Sequence, residues 1–311
     1  MISVILPTYN RAHLLRRSIP SVLSQTHEDL ELIVVDDGSS DSTRKVVDEF
    51  IKEDNRVRYI RHQSNKNLPS TRNTGIRAAK GKLIAFLDDD DEWLRNKLTL
   101  QKEALQGLSK KWGGVCCRYK VINNNKSIIP KNSGLSGDLT LPILTQKARI
   151  SFGSTALIRR KVFNTVGYFD ERFMYHEDLD FLLRFFQRYK LAALDKASTL
   201  KHGYNSTSAE NLAVMKKLLL DKHEDLISSL GREAASTIYA AHWSEVSKLY
   251  ALQGKVNDSV KYLKKSISSK IVFDKQVILD RYFRIIIHNL KQIAQKFFSK
   301  KMDRLNHFIG K

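Results

Sequence analysis

Two hydrophobic rhythms alternate along residues 1–208: short unbroken apolar runs, and longer stretches in which apolar residues recur every three or four positions. Ile2-Ser3-Val4-Ile5-Leu6 predicts a strand stopped by Pro7, and Leu14, Leu15, Ile19, Val22 and Leu23 then fall on one helix face. Leu30 to Val35 repeats the strand, Asp36-Asp37-Gly38-Ser39-Ser40-Asp41 the loop, and Val46, Val47, Phe50 and Ile51 the helix. Val57 to Ile60 reads as a third strand, and Pro69 to Ile76 opens another helix. Leu83-Ile84-Ala85-Phe86-Leu87 is apolar throughout and bounded by turn signals, the mark of a strand buried on both faces. This order predicts an α/β fold with right-handed crossovers and a mostly parallel sheet covered by helices on both faces. The loops ending in Tyr9, Asp37 and Asp88 to Asp91 would then share the sheet's carboxyl edge, where open α/β sheets bind ligands.

The pattern is thinner further on. Val115 to Val121 predicts a strand, Asn123 to Lys126 a turn, and Lys131 to Asp138, with Gly134 and Gly137, a loop at the rim of a site. Ser154 to Arg160 reads as a strand followed by a helix. The loop from Gly167 to Glu171 leads to a helix with Glu177 and Asp178 in its first turn and Phe181, Leu182, Phe185 and Phe186 on its buried face. From Asn211 onward strand signals disappear. Ala235, Ile238, Tyr239, His242, Trp243, Val246, Leu249 and Tyr250 recur at helical spacing, Gly254 fits a helix stop, and Val260, Leu263 and Ile267 continue on a second helix. The hairpin is similar to one tetratricopeptide-type unit. A last predicted helix sets Ile278, Tyr282, Ile286, Leu290, Ile293, Phe297, Leu305 and Phe308 beside eight basic residues between Lys275 and Arg304. Such a helix suits an anionic membrane interface or the surface of a protein partner. The expected division is an α/β region over 1–208 and a helical region over 209–311.

Composition narrows the classes. The 311 residues carry a formal net charge of +20, and residues 255–311, with 14 Lys/Arg against 4 Asp/Glu, hold half of that excess. Phosphorylated substrates, anionic membranes and nucleic acid all attract such charge. Cys116 and Cys117, being adjacent, form no ordinary disulfide and offer no zinc set, so buried thiols of a reducing compartment are expected. No leader pattern and no apolar run long enough to span a bilayer occurs, so the expected location is cytoplasmic, or peripheral on the inner face of the cell membrane.

The chemistry concentrates in Asp88-Asp89-Asp90-Asp91-Glu92, directly after the fully apolar strand. Carboxylates this close repel unless cations or donors compensate, and a hard divalent metal carrying a phosphorylated substrate would do so. The alternative is that Asp90 or Asp91 caps a helix starting near Trp93, with Glu92 complementing its dipole. Tyr9 and Asp37 permit recognition of a nucleobase by a ring face and a carboxylate, or a core wall and a plain turn. Glu177 and Asp178 are either chemical or simply dipole-complementing. Neither G-x-G-x-x-G nor G-x-x-x-x-G-K-[ST] occurs, which excludes the common dinucleotide and P-loop cradles.

Taken in order, Val4-Ile5-Leu6-Pro7-Thr8-Tyr9-Asn10-Arg11, Val35-Asp36-Asp37-Gly38-Ser39-Ser40-Asp41, Arg72-Asn73-Thr74-Gly75-Ile76, Phe86-Leu87-Asp88-Asp89-Asp90-Asp91 and Tyr175-His176-Glu177-Asp178 resemble the inverting family 2 glycosyltransferases. That resemblance implies the GT-A-like nucleotide-diphospho-sugar transferase fold and covers roughly residues 1–208. It implies that Pro7, Tyr9, Asp36, Asp37 and Arg72, with Asp88 and Asp89, bind the sugar nucleotide, a UDP-sugar being the expected donor. By the same resemblance Asp90 holds Mg²⁺ or Mn²⁺, His202 in the closing Lys201-to-Ser208 stretch reaches the metal or diphosphate, and Asp178 beside Glu177 is the catalytic base. The acceptor implied is a glycan or lipid-linked sugar of surface polysaccharide assembly. Two other classes fit less well. A sugar-phosphate nucleotidyltransferase would need a glycine-rich basic loop after the first strand, and a nucleic-acid-binding protein sits badly with the acid cluster.

Overall fold

The computed structural model describes residues 1–123, 126–130, 134–148, 150–202 and 207–269. The tip of the turn expected at Asn123 to Lys126, residues 131–133 of the glycine-bearing loop, residues 203–206 of the closing stretch and the whole basic amphipathic helix lie outside these described residues.

The first half alternates strand and helix: β1 (Ile2–Thr8), α1 (Ala12–Leu23), β2 (Leu30–Asp36), α2 (Thr43–Glu53), β3 (Val57–Arg61), α3 (Leu68–Ala78) and β4 (Leu83–Phe86). Then come β5 (Asp91–Trp93), α4 (Lys97–Gln106), β6 (Trp112–Asn123), β7 (Lys126–Ile128), α5 (Thr140–Leu144) and α6 (Phe152–Thr155). The set closes with β8 (Ala156–Arg159), α7 (Lys161–Val166), α8 (Glu177–Phe186) and β9 (Lys190–Lys201). Among the described residues these strands form one sheet of order β3-β2-β1-β4-β8-β6-β9-β5, with β7 on β6. The expected α/β class holds. Parallel pairing runs through β3-β2-β1-β4, and the other half is mixed, β8 being antiparallel to both neighbours while β9 runs parallel to β6.

Alternate residues of the central strands feed opposite faces. Val4, Leu6, Leu32 and Val34 pack with Leu15, Ile19, Val46, Val47 and Leu98 of α1, α2 and α4. Ile5, Ile33, Val35 and Phe86 pack on the other side with Ile76 of α3 and Phe181 and Phe185 of α8. Phe86, Phe152, Phe163, Phe169 and Phe181 interlock there, with Phe169 and Phe181 ring centres 5.0 Å apart. Each buried ring contributes roughly 1.5–3 kcal/mol of burial, and each such pair about 0.5–1.5 kcal/mol beyond it. Gly75 lets α3 close on β1, since a Cβ there would run into the Ile5 side chain.

Two local expectations are corrected, and one strand is added. No helix starts near Trp93: Asp91–Trp93 pairs antiparallel with Lys201, Leu200 and Thr199 as a short edge strand, and the helix begins at Lys97 after Asn96. Neither Asp90 nor Asp91 is therefore a helix cap. Ser154 and Thr155 belong to the turn of α6, and the strand starts only at Ala156. Finally β9, for which no expectation existed, is one of the longest strands. Cys116 and Cys117 are buried free thiols as expected, burial pushing Cys116 up to about 12.

Among the described residues a second compact unit comprises Leu144–Gln146 and residues 207–269. Its described helices are α9 (Ala209–Lys222), α10 (Glu224–Ser229), α11 (Arg232–Leu252) and α12 (Val256–Ser268). Leu212, Ala213, Val246 and Tyr250 form its core, Tyr262 stacks on Tyr250 at 5.4 Å, and Gly254 turns the chain at φ +79° between α11 and α12. His242 is buried against Leu144 O at 3.0 Å, and burial together with Lys216 pushes its pKa down to about 3. Among the described residues no helix is long and apolar enough to cross a membrane.

Candidate active site

The carboxyl ends of β1, β2 and β4 lie side by side, so Tyr9, Asp36, Asp37 and Asp88 share one edge. Pro7 is buried within β1 opposite Val35, and its missing N–H falls beyond the pairing with β4, which ends at Ile5 and Phe86. Tyr9 follows at the rim, 45% exposed. Asp36 is spent on the loop: its carboxylate accepts from Ser39 N at 2.8 Å and Tyr59 Oη at 2.5 Å. Asp37 accepts from His62 Nδ1 at 2.7 Å, Lys66 N at 2.9 Å and Asn67 N at 3.0 Å. An ionised carboxylate has about four acceptor positions, so one remains on Asp37 for a ligand donor.

The acids after β4 each meet a cation that is remote in sequence. Arg72, buried on α3, donates Nη2 to Asp88 Oδ1 at 2.7 Å and Nη1 to Glu177 Oε1 at 2.5 Å, its guanidinium lying 5.8 and 5.6 Å from the ring centres of Phe86 and Phe169. Arg11 Nη1 reaches Asp89 Oδ1 at 3.0 Å, and Thr8 donates to Asp89 Oδ2 at 2.9 Å. Lys201, at the end of β9, donates to Asp91 Oδ2 at 2.7 Å and lies 3.8 Å from Asp88 Oδ2. The compensation expected of such a cluster comes in part from the protein: Arg11, Arg72 and Lys201 offset half of the six carboxylates Asp88 to Asp91, Glu177 and Asp178. Burial outweighs the Lys201 ammonium and pushes Asp91 up to about 6, and burial outweighs Arg11 to bring Asp89 to about 6. Asp88 is held below its usual range: burial opposes ionisation there, but Arg72 and Lys201 prevail. Asp90 is the least engaged. Among the described residues its carboxylate accepts no hydrogen bond, Arg11 Nη1 standing 3.5 Å away, while its main-chain oxygen accepts from Arg17 at 2.6 Å.

Glu177 and Asp178 open α8 after a segment without regular structure, and His176 ahead of them adopts a left-handed φ of 66°. Glu177 is buried on Arg72, and burial pushes its carboxyl up to about 7. Asp178 is half-buried. Its Oδ1 accepts from Leu179 N at 2.8 Å, leaving Oδ2 for the site, and burial raises its pKa despite Arg72. Asp180 is structural, bound to Arg184, which in turn caps Val166 O at 2.7 Å. His202 lies 3.3 Å from Glu92 through Nε2, without a hydrogen bond. Among the described residues no three acidic, His or Cys side chains converge as a ready-made metal site.

The structure thus joins Asp88, Arg72 and Glu177 directly, with Asp89, Asp90 and Asp178 around them. Arg72 is enclosed at 2% exposure. Three participants escaped sequence reasoning: Lys201, His62, which bridges Asp37 and Thr74, and Gly153, whose missing Cβ leaves room for the Arg72–Asp88 pair. Lys201 and His62 lie beside predicted features but carry no spacing signal of their own.

A parallel β1–β4 half with acids at its carboxyl ends, facing a helix that opens on Glu-Asp, defines a GT-A-type glycosyltransferase. The chain belongs to glycosyl transferase family 2, residues 3–167 matching the family model. Over 133 residues it is 42% identical to the Escherichia coli UDP-Glc:alpha-D-GlcNAc-diphosphoundecaprenol beta-1,3-glucosyltransferase WfgD, a match covering 42% of this chain and half of that relative. It is 34% identical over 207 residues to the Campylobacter jejuni GalNAc(5)-diNAcBac-PP-undecaprenol beta-1,3-glucosyltransferase, covering 63% of this chain and 67% of the relative. Among solved structures, S. aureus TarS superposes with a TM-score of 0.66 at 20% identity, covering 94% of this chain and 55% of TarS, a likeness of fold. Family membership selects sugar transfer over nucleotidyl transfer.

Proposed function

We propose that the protein is a metal-dependent, inverting glycosyltransferase that moves a sugar from a UDP-sugar to a hydroxyl of a lipid-linked glycan. The observation that carries this reading is Asp178, half-buried at the opening of α8 beside the Asp88–Arg72–Glu177 cluster, with one oxygen fixed by Leu179 N and the other accepting no hydrogen bond among the described residues. Such a carboxylate can take the acceptor's hydroxyl proton as the oxygen attacks the anomeric carbon from the face opposite the leaving diphosphate. Tyr9 would stack on the base, and the unused acceptor position of Asp37 would take a base N–H, while His62 and the 66–67 main chain keep that carboxylate in place. Asp88 would face the ribose and Asp89 brace it.

Mg²⁺ or Mn²⁺ fits the donors present: hard carboxylate oxygens, an excess of negative charge, and an Asp90 carboxylate that accepts no hydrogen bond among the described residues. Asp90 would hold the ion, with His202 as a further ligand once separated from Glu92. When bound, the ion neutralises charge developing on the departing diphosphate. The undecaprenol-linked substrates in the names of both relatives support a lipid-linked acceptor, and the basic stretch from Lys275 to Arg304 supports action at an anionic membrane surface.

The test is a donor panel. UDP- and GDP-sugars are offered with a polyprenyl-diphosphate-linked N-acetylhexosamine, with and without Mn²⁺, and nucleotide release and product anomer are followed. Mn²⁺-stimulated release from a UDP-sugar, with a β-linked product from an α-linked donor, is expected. Retention of configuration, or full turnover in excess chelator, contradicts the reading.

A further inference from the structure

Residues 167–176, ahead of the base, contain no regular element, so the position of Asp178 depends on what grips this segment. Arg184 of α8 holds Tyr168 O at 2.9 Å, and α3 holds the residues that follow. Asn73 is buried and pairs with the Phe169 main chain in both directions: its Oδ1 accepts from Phe169 N at 3.0 Å and its Nδ2 donates to Phe169 O at 2.9 Å. The same Nδ2 reaches Glu171 Oε1 at 2.9 Å. Asn67, at the N-cap of α3, donates Nδ2 to Glu171 O at 2.9 Å while its Oδ1 accepts from Ser70 N. Its backbone sits at φ 89° and ψ 165°, a region that glycine occupies freely and other residues rarely. An asparagine kept where glycine would be unstrained points to its side chain. Its own N–H is held by Asp37, so the residue that ties the 167–176 segment also sits on the acid assigned to the nucleobase.

We propose that Asn67 and Asn73 are positioning residues that fix the Phe169–Glu171 main chain and thereby set where Asp178 meets the acceptor hydroxyl, one helix registering the donor site against the base. This rests on the base role of Asp178 argued above. Neither asparagine is a catalytic residue; both act through the segment they hold.

Two variants test it, each measured for melting, for UDP affinity and stoichiometry with Mn²⁺, and for turnover of the best donor of the panel. In Asn67→Gly the backbone strain is relieved and glycine replaces an N-cap at little cost, so melting stays near wild type while the tether to Glu171 is lost. Turnover should fall about 10-fold with UDP affinity unchanged, because small misplacements of reacting groups cost orders of magnitude in rate. Asn73→Ala, assayed well below its own melting point, should lose about 100-fold in turnover with full UDP stoichiometry. A purely structural role predicts lower melting with wild-type turnover per UDP-binding site. Asn67→Gly turning over at the wild-type rate overturns the proposal, as does a parallel loss of UDP affinity and turnover. Wild-type protein that releases UDP from no donor refutes the underlying activity instead, and is seen before any variant is made. If Asn73→Ala fails to fold, Asn67→Gly decides.

Discussion

Gly153→Ala inserts one methyl group at the centre of the site. The new Cβ would lie within 3.0 Å of both Asp88 carboxylate oxygens and closer still to Arg72 Nη2. Retreat is blocked on both sides, since Glu177 binds Arg72 at 2.5 Å and the Phe86 and Phe169 rings flank its guanidinium. Overpacking of this kind costs about 1–3 kcal/mol, and outright rupture of a buried pair about 3–5 kcal/mol. Alanine's better helix propensity returns about 1 kcal/mol at most. The net loss is therefore about 2 kcal/mol, and for a unit of this size each kcal/mol moves the melting point by about 2–4 °C, so a drop of about 4–8 °C is expected. Thermal melts and UDP titration of Gly153→Ala beside Gly107→Ala make the measurement, the second being a control whose nearest neighbour to an added Cβ is 4.0 Å away. UDP affinity should fall only in Gly153→Ala, through displacement of Asp88. A Gly153→Ala protein that melts within about 1 °C of wild type and binds UDP normally would refute the claim that the Arg72–Asp88 pair is tightly enclosed.

Other consequences are open to direct test. Asp90→Asn should cut Mn²⁺-stimulated turnover about 100-fold and abolish stabilisation by Mn²⁺, as expected of a lost electrostatic clamp; unchanged Mn²⁺ response would remove Asp90 from the metal. Because burial raises Asp178 and takes Glu177 to about 7, turnover should climb as pH rises through the mildly acid range and the base ionises; a flat profile there would contradict the assignment. The same raised carboxyls, Asp89 and Asp91 at about 6 and Glu177 at about 7, favour the protonated folded state. The stability they contribute is complete below their unfolded values of about 4 and lost as pH rises through 6 to 7, so metal-free protein should melt lower at about pH 7.5 than at about pH 5.5, with buried His242 opposing part of the trend. Deleting residues 272–311 should release the protein from anionic vesicles, each basic residue near the surface contributing about 1 kcal/mol; full-length protein that ignores such vesicles at low salt ends the membrane idea.

The parallel half of the sheet was legible because β1, β2 and β4 are largely buried on both faces and read as near-continuous apolar runs, interrupted by Ser3 in β1 and by Glu31 in β2 ahead of its closing Asp36. β9 was not: Leu194-Asp195-Lys196-Ala197 mixes polarity where its register against β6 shifts around Cys117 and Arg118, so no clean period survives. The short edge strand at Asp91–Trp93 was hidden for a related reason, its partner lying more than a hundred residues away. The acids themselves were conspicuous, but their compensation was not. Asp88 depends on Arg72 and Lys201, Asp89 on Arg11, and Glu177 on an arginine 105 positions earlier, separations that local reasoning about repulsion cannot see. The grip of Asn67 and Asn73 on residues 169–171 was illegible on the same account.

The central claim is tested most directly by Asp178→Asn. Asparagine keeps the shape of the side chain and the acceptor for Leu179 N, and removes only the ability to take a proton. Turnover should fall about 100-fold or more, with UDP affinity and melting temperature unchanged. Loss of UDP binding and of stability in proportion to turnover would return Asp178 to a helix-capping role and contradict the account.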